Sequence, residues 1–209
     1  TYPRNALREH FFSSDADTSS EMLLLNSVQE YGDAPTAPRM PQINEKSDAI
    51  ELLLRGVTTV QDGTLSIEKK IRLEKDSSAL ETAYTLKWNG QHKTSLKFAV
   101  EFNLLAASAL GIDKPFRVNG STQDWRLLEL HNAEAVSEVA LFDPHPNFDI
   151  AIGCDKPAAL ASFPVETISQ SESGFDRNYQ GSSLWLIWQM DFNPHEDVNL
   201  NVELKIIER

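Results

Sequence analysis

The 209-residue sequence predicts an all-β protein, a large antiparallel sandwich of two sheets packed face to face. From Lys46 onward apolar and polar side chains alternate with a period of two, as in strands buried on one face only. Several alternating runs reach about nine or ten residues, which is longer than the usual strand. Long antiparallel strands in series bury their apolar faces by forming two packed sheets.

Residues 1–44 are expected to form an irregular approach segment that packs on the sandwich of residues 45–209, so that the chain is one structural domain. "TYPRNALREHFF" has no clear period, and the proline-rich "DAPTAPRMPQ" predicts a loop. Between them, "TSSEMLLLNSV" fits two structures. Thr18 and Glu21 suit the capping box of a short helix, whereas "MLLL" equally suits a buried strand.

Turn residues separate the predicted strands. Asp62-Gly63 lies between "LLLRGVTTV" and "LSIEKKIRL" and predicts a β-hairpin, and Asn89-Gly90 after "YTLKW" gives the same signal. Pro144 and Pro146 interrupt "LFDPHPNFDIAIG" before another alternating run. The clearest alternation is in "SLKFAVEFNLL", "LWLIWQMDF" and "VNLNVELKI", whereas in "LSIEKKIRL" Lys69 interrupts the apolar side.

The composition excludes several function classes. A net charge of -12, from 19 basic and 31 acidic residues, argues against nucleic acid or an anionic membrane as the partner. No apolar run approaches the roughly 20 residues that span a bilayer, and no signal-peptide pattern is present, so a cytoplasmic location is expected. The one cysteine, Cys154, cannot form an internal disulfide and is predicted to be buried and inert.

No motif indicates a cofactor or a metal. The sequence has no GxSxG elbow and no zinc-ligand spacing. His145 lies near Asp143 and Asp149, a set that is compatible with a hard cation. A proline-rich turn with solvated acids is the preferred interpretation, so we expect no metal and no cofactor.

Carbohydrate recognition fits the polar side chains best, because sugars need carboxylate and amide partners together with aromatic stacking surfaces. Glu101 and Asn103 share the polar face of one strand, and a dense polar block precedes the strand that holds Trp185 and Trp188. The alternative is that these polar groups only satisfy the backbone of a long connection. The candidate carbohydrate-binding residues are Glu101, Asn103, Glu166, Gln170, Glu172, Tyr179, Gln180 and Trp185.

Four stretches resemble a known family: "YPRNALREHFF", "EYGD", "FAVEFNLLA" and above all "FPVETISQSESGFDRNYQGSSLWLIW". They are similar to the C-terminal β-sandwich domain of glycoside hydrolase family 57 proteins, the α-amylase and 4-α-glucanotransferase type enzymes that act on α-1,4-glucans. The resemblance implies a galactose-mutarotase-like supersandwich. It also implies that the catalytic carboxylates lie in a separate N-terminal (β/α) barrel, and no alternating βα pattern exists in this chain.

The expected function is therefore a non-catalytic accessory domain that packs on the catalytic barrel of the same parent chain and is a candidate to bind α-glucan or an oligosaccharide. Two alternatives stay open. One is a self-contained mutarotase-like epimerase or hydrolase, with Glu101, Glu166 or Glu172 as base and a histidine as acid. The other is a purely structural docking module, which predicts that the "SQSE" block is buried and that a large apolar patch is exposed where the barrel packs. The exposure of Trp125, Trp185 and Trp188 distinguishes core residues from a sugar platform.

Overall fold

A computed structural model describes residues 6–61, 63–145, 147–171 and 174–209. In chain order the elements are β1 (Arg8–Ser13), α1 (Ser20–Leu24), β2 (Met40–Glu45), β3 (Ala49–Val60), β4 (Gly63–Glu74), β5 (Ala79–Trp88), β6 (Thr94–Leu104), a 3-10 helix (Ala107–Gly111), β7 (Phe116–Val118), β8 (Ser121–Thr122), β9 (His131–Asp143), β10 (Phe148–Ser171), β11 (Gly174–Phe192) and β12 (Asp197–Glu208). Neither helix is long and apolar enough to cross a bilayer, as judged over the described residues.

The strands form one antiparallel sheet in the order β1-β6-β11-β10-β12-β5-β4-β3-β2, with β9 and the β7–β8 pair attached beside β10. The long β10 joins two halves, because its residues 148–154 pair with β12 and its residues 159–171 pair with β11. Apolar faces of both halves meet in one core, where the rings of Tyr84 and Phe98 lie 5.5 Å apart. The predicted all-β supersandwich is confirmed.

The two hairpin predictions have different outcomes. The β3–β4 hairpin is confirmed by its closing pair of Val60 and Gly63, although Asp62 lies outside the described residues. The hairpin at Asn89-Gly90 is wrong, because β5 pairs with β4 and β12 whereas β6 pairs with β1 and β11. This loop crosses between the halves and wraps the indole of Trp88, where a Cβ on Gly90 would lie 2.2 Å from ring atoms.

The N-terminal segment is less irregular than predicted, because it contributes β1 and nearly all of β2 to the sheet. The period of β1 is hidden in the sequence since Phe11 and Phe12, on opposite faces, are both buried. The ambiguous "MLLL" stretch forms α1, but its N-cap is Ser19 and no side-chain capping bond forms there. The predicted capping box of Thr18 and Glu21 is therefore wrong.

A second apolar layer lies on the outer face of the half that contains β1, β6, β10 and β11. Here the chain around α1 packs over Trp185, whose side chain is 4% exposed. Trp185 is therefore covered by a second layer rather than displayed to solvent. The buried members of this layer are Phe12, Leu23, Ala99, Ala161, Phe163, Trp185 and Ile187.

Candidate functional site

The described candidate residues lie in three places in the fold. Two of them, Glu101 and Trp185, lie in the buried outer layer. Asn103 is half-buried near the end of β6, where it pairs with Ser183 of β11. Glu172 lies outside the described residues. The remaining four, which are Glu166, Gln170, Tyr179 and Gln180, come together on a two-stranded extension of β10 and β11.

This extension, the arm, consists of residues 166–171 and 174–180. It exists because β10 and β11 continue to pair with each other after their outer neighbours end. A register shift at its base leaves Gln180 as an extra residue on β11, as in a β-bulge. The following Gly181 has a φ of +151° and lies so near β6 that a Cβ would be 2.9 Å from the carbonyl oxygen of Leu104. Glycine is required there.

Pairing gives the arm two different faces. Ile168 pairs with Arg177 and Gln170 pairs with Phe175, so the side chains of these pairs share one face. Ile168 is 69% exposed and Phe175 is 77% exposed. On the same face, Arg177 Nη2 lies 2.6 Å from Glu166 Oε2. An apolar pair at the far end therefore sits beside an ion pair nearer the sandwich.

The opposite face of the arm is polar. Asn178 Nδ2 donates to Ser169 Oγ at 3.1 Å, and Gln180 Nε2 donates to Thr167 Oγ1 at 3.3 Å.

Tyr179 anchors the arm, since its ring packs on the main core and its Oη lies 2.8 Å from Ser182 Oγ. Burial raises the pKa of the Tyr179 hydroxyl, so it stays protonated at neutral pH.

Glu101 belongs to a closed hydrogen-bond network beneath the second layer. His10 Nε2 lies 3.2 Å from Glu101 Oε2, and His10 Nδ1 lies 3.0 Å from Glu30 Oε1. Ser183 Oγ donates to Glu101 Oε1 at 3.1 Å and accepts a hydrogen bond from Trp185 Nε1 at 2.9 Å. The imidazole and indole rings are 4.1 Å apart.

The electrostatics of this network favour a charged histidine. Burial by itself lowers the pKa of His10, but hydrogen bonds and charges from Glu101 and Glu30 raise it, and the net pKa lies above the ordinary value. The side chains of His10 and Glu101 are both fully buried and in direct contact. No space separates these two groups for a sugar, so the arrangement joins β1, β6 and β11 as a structural contact.

Trp88 and Trp188 are core residues that are each 4% exposed, and each indole N–H donates to a backbone carbonyl. The half-buried Trp125 stacks on His131 with ring centroids 4.6 Å apart. These contacts occupy ring faces that a sugar would otherwise use. The exposed aromatic on the arm is Phe175, which the sequence prediction missed because alternation alone does not show where a hairpin leaves the sandwich.

The outer face of β3, β4, β5 and β12, together with residues of β9 and β10, forms an open groove of about 640 Å³, and the described residues that line it include no aromatic side chain. Several of its polar side chains contact one another. Arg72 lies 3.6 Å from Glu81, and Asn201 Nδ2 donates to Asp155 Oδ2 at 2.7 Å. Such a face resembles a solvated sheet surface more than a sugar site.

The acids proposed as cation ligands have other partners. Asp149 is held by Arg117 and by Arg209, whose Nη2 lies 2.8 Å from Asp149 Oδ1. Asp143 Oδ1 accepts the backbone N–H of His145 at 3.1 Å. Across the part of the chain that the structure describes, no three His, Cys, Asp or Glu residues are grouped as metal ligands would be.

Comparison with known proteins agrees with this geometry. The fold is a mutarotase-like supersandwich: a galactose mutarotase related enzyme from Lactobacillus acidophilus matches 97% of this chain and 80% of that chain, with a TM-score of 0.56 at 13% identity. The crystal structure of the 4-alpha-glucanotransferase from Thermococcus litoralis matches 97% of this chain and 27% of that chain, with a TM-score of 0.71 at 23% identity.

Sequence comparison shows the family. A family model described as "Alpha-amylase/4-alpha-glucanotransferase, C-terminal" matches residues 1–204, and the chain belongs to that family, which is of the glycoside hydrolase family 57 type. Alpha-amylase 1 of Dictyoglomus thermophilum is 30% identical over 152 residues, which cover 72% of this chain and 21% of the relative. The alpha-amylase of Pyrococcus horikoshii is 29% identical over 208 residues, covering 99% and 27%. The chain thus spans about a quarter of the length of these relatives.

Proposed function

We propose that this chain is the non-catalytic C-terminal accessory domain of an α-glucan-active hydrolase or 4-α-glucanotransferase. The observation that supports this best is the closed contact between His10 and Glu101. A mutarotase-like epimerase needs an acid and a base on either side of a bound sugar. Here the histidine and the glutamate contact each other directly, and both are buried.

The test is an assay of the 209-residue chain beside the full-length polypeptide that contains it. We expect the chain alone neither to cleave nor to transfer maltoheptaose, and not to accelerate glucose mutarotation measured by polarimetry. Glu101→Gln and the exposed-residue control Glu203→Gln should then behave alike. Mutarotation by the chain that is lost in Glu101→Gln alone would instead establish the self-contained epimerase.

The accessory role includes packing on a catalytic domain of the same polypeptide. Two facts support it: the matched family is defined as a C-terminal part, and its relatives are about four times as long as this chain. The exposed aliphatic and aromatic side chains of the sandwich give such a partner apolar surface to cover. In a purely structural docking module, this packing is the whole function, but its prediction of a buried "SQSE" block is wrong for Ser169 and Gln170, which are exposed.

Glucan contact is the second candidate function, and Phe175 supports it. Its ring is 77% exposed and shares a face of the arm with Gln170, which supplies an amide beside an aromatic platform. Calorimetric titration with maltoheptaose tests this role. We expect binding that Phe175→Ala abolishes and that Thr167→Ala, on the opposite face, preserves. The absence of binding up to several millimolar leaves docking as the function.

A further inference from the structure

One face of β3 and β4 changes from buried to exposed along the strands. On β3, Val60 and Thr58 are 1% and 2% exposed, whereas Ile50 on the same face is 53% exposed. On β4, Leu65 is fully buried, whereas Leu73 on the same face is 44% exposed. This is the inner face of the sandwich, so the opposite half covers only one end of it.

The uncovered end forms a continuous aliphatic patch, which we define as Ile43, Ile50, Leu52, Ile71 and Leu73. Ile43 pairs with Leu52, and Leu52 pairs with Ile71 across three adjacent strands. Ile50 pairs with Leu73 in the next row. Ile43 is 64% exposed. An apolar surface that extends over neighbouring strands is typical of an interaction site.

The loop before β2 shows that the same face is covered elsewhere. Asp33 Oδ1 accepts a hydrogen bond from Thr58 Oγ1 at 3.1 Å, and the Arg39 side chain fills the space beside Gly56. This loop therefore covers the end of β3 that lies nearest the core. It leaves Ile43, Ile50 and Leu73 exposed at the far end of the strands, whereas Leu52 and Ile71 between them are half-buried.

The start of β1 lies near the border of the patch. The Lys69 ammonium contacts the carbonyl oxygen of Leu7 at 2.7 Å, which places the start of β1 over β4. Lys69 is the direct pairing neighbour of Leu54, and Ile71 follows it on the same face of β4. Leu7, near the start of the described residues, therefore lies beside the rows of β4 that lead to the patch.

We propose that the aliphatic patch is the surface on which the catalytic domain of the same polypeptide packs, through apolar side chains of that domain. This inference rests on the proposed accessory role and adds where the contact lies. Three observations support it: the exposed end of the inner face, the start of β1 near it, and relatives that are about four times as long as this chain.

The test compares Ile50→Asp with Val57→Asp in the full-length polypeptide. Both residues lie on β3 with similar exposure, 53% and 57%, but they occupy opposite faces of the strand. A charge buried in an apolar contact is strongly unfavourable, so we expect Ile50→Asp to speed hydrogen exchange of β3 and β4 amides at least about tenfold. Val57→Asp should exchange as the wild type does.

Each of the other outcomes contradicts the patch, the accessory role or the identity of the partner. If Ile50→Asp and Val57→Asp both leave exchange unchanged while another surface is protected relative to the 209-residue chain, the patch is wrong and the accessory role stands. If no described segment is protected in the full-length polypeptide, the accessory packing itself fails. If sedimentation shows a dimer of the full-length polypeptide that Ile50→Asp dissociates, a second copy is the occupant and the proposal is overturned.

Discussion

His10 connects protonation to stability at the scale of a single residue, because both of its ring nitrogens face carboxylates in a buried site. Its pKa is raised in the folded protein. A histidine whose pKa is raised by folding stabilises the folded state when it is protonated. This stabilisation is fully present below the unfolded pKa of 6.5, and it is lost as the pH rises through the folded pKa. His10 therefore stabilises most under mildly acidic conditions.

We predict that His10→Gln destabilises the chain, and that the difference in unfolding free energy from the wild type is larger at pH 6 than at pH 9. Urea unfolding at several pH values measures this difference. His92→Gln is the control variant, because His92 is an exposed histidine outside this network. A difference that grows with pH would contradict the assignment.

Cys154 is half-buried, not fully buried as the sequence predicted, and it gives a prediction about the reactivity of its thiol. Burial, together with the charge of Asp155, raises the pKa of its thiol to about 11, and Sγ lies 3.4 Å from the carbonyl oxygen of Val136. Since the thiolate is the reactive species, alkylation by iodoacetamide at pH 8 should be far slower than that of free glutathione. Mass spectrometry over time measures the rate. Equal rates would contradict the inert cysteine that the sequence predicts.

At the scale of elements, the arm depends on the bend at Gly181. Its φ of +151° is unfavourable for other residues, and a Cβ would press on the Leu104 carbonyl. We predict that Gly181→Ala lowers the unfolding free energy by about 1–3 kcal/mol. Gly153→Ala is the matched control, because that glycine has ordinary φ and a Cβ would meet no atom nearer than 3.9 Å. Equal losses in the two variants would show that backbone geometry at Gly181 is unimportant.

The same arm shows which features of a strand can be predicted from local sequence. The alternation in "LWLIWQMDF" correctly placed the core part of β11, since Leu184, Leu186 and Trp188 are all buried. It could not show that β10 and β11 continue to pair after their neighbours end. This depends on where the outer neighbours β6 and β9 end, and β6 is distant from both strands in sequence.

At the scale of the whole molecule, a buried ion pair connects the two halves of the sandwich. Lys69 Nζ on β4 lies 2.8 Å from Glu9 Oε1 on β1, with side chains that are 9% and 5% exposed. Removing Lys69 leaves the buried Glu9 carboxylate with only the longer contact to Arg39 Nη2 at 3.7 Å, so we predict that Lys69→Met costs about 3–5 kcal/mol of unfolding free energy. Denaturant unfolding measures the loss.

The double variant Lys69→Met with Glu9→Gln is the control for this prediction. It removes both charges, so it should be less destabilised than the sum of the two single variants. Strictly additive losses would show that the two charges do not interact across the sandwich.

Local sequence was sufficient to predict much of the fold and to identify the family. Period-two alternation identified the long strands, because a strand buried on one face must alternate. Lys69 stood out in that pattern as an interruption, and the structure explains it by Glu9, which lies sixty positions away. The Asn89-Gly90 signal failed for a related reason, since a turn dipeptide specifies a reversal of the chain but not which strands then pair.

The sequence by itself determined the strand class, the acidic surface and membership of the amylase and glucanotransferase C-terminal family, because these depend on residue type and local order. Only the tertiary structure decided that Glu101 and Trp185 are buried under a second layer, whereas Gln170 and Phe175 project into solvent. Burial is the sum of contacts made by segments remote in sequence. The same polar residue can therefore be part of a core network or of an exposed arm, depending on which strands pair beside it.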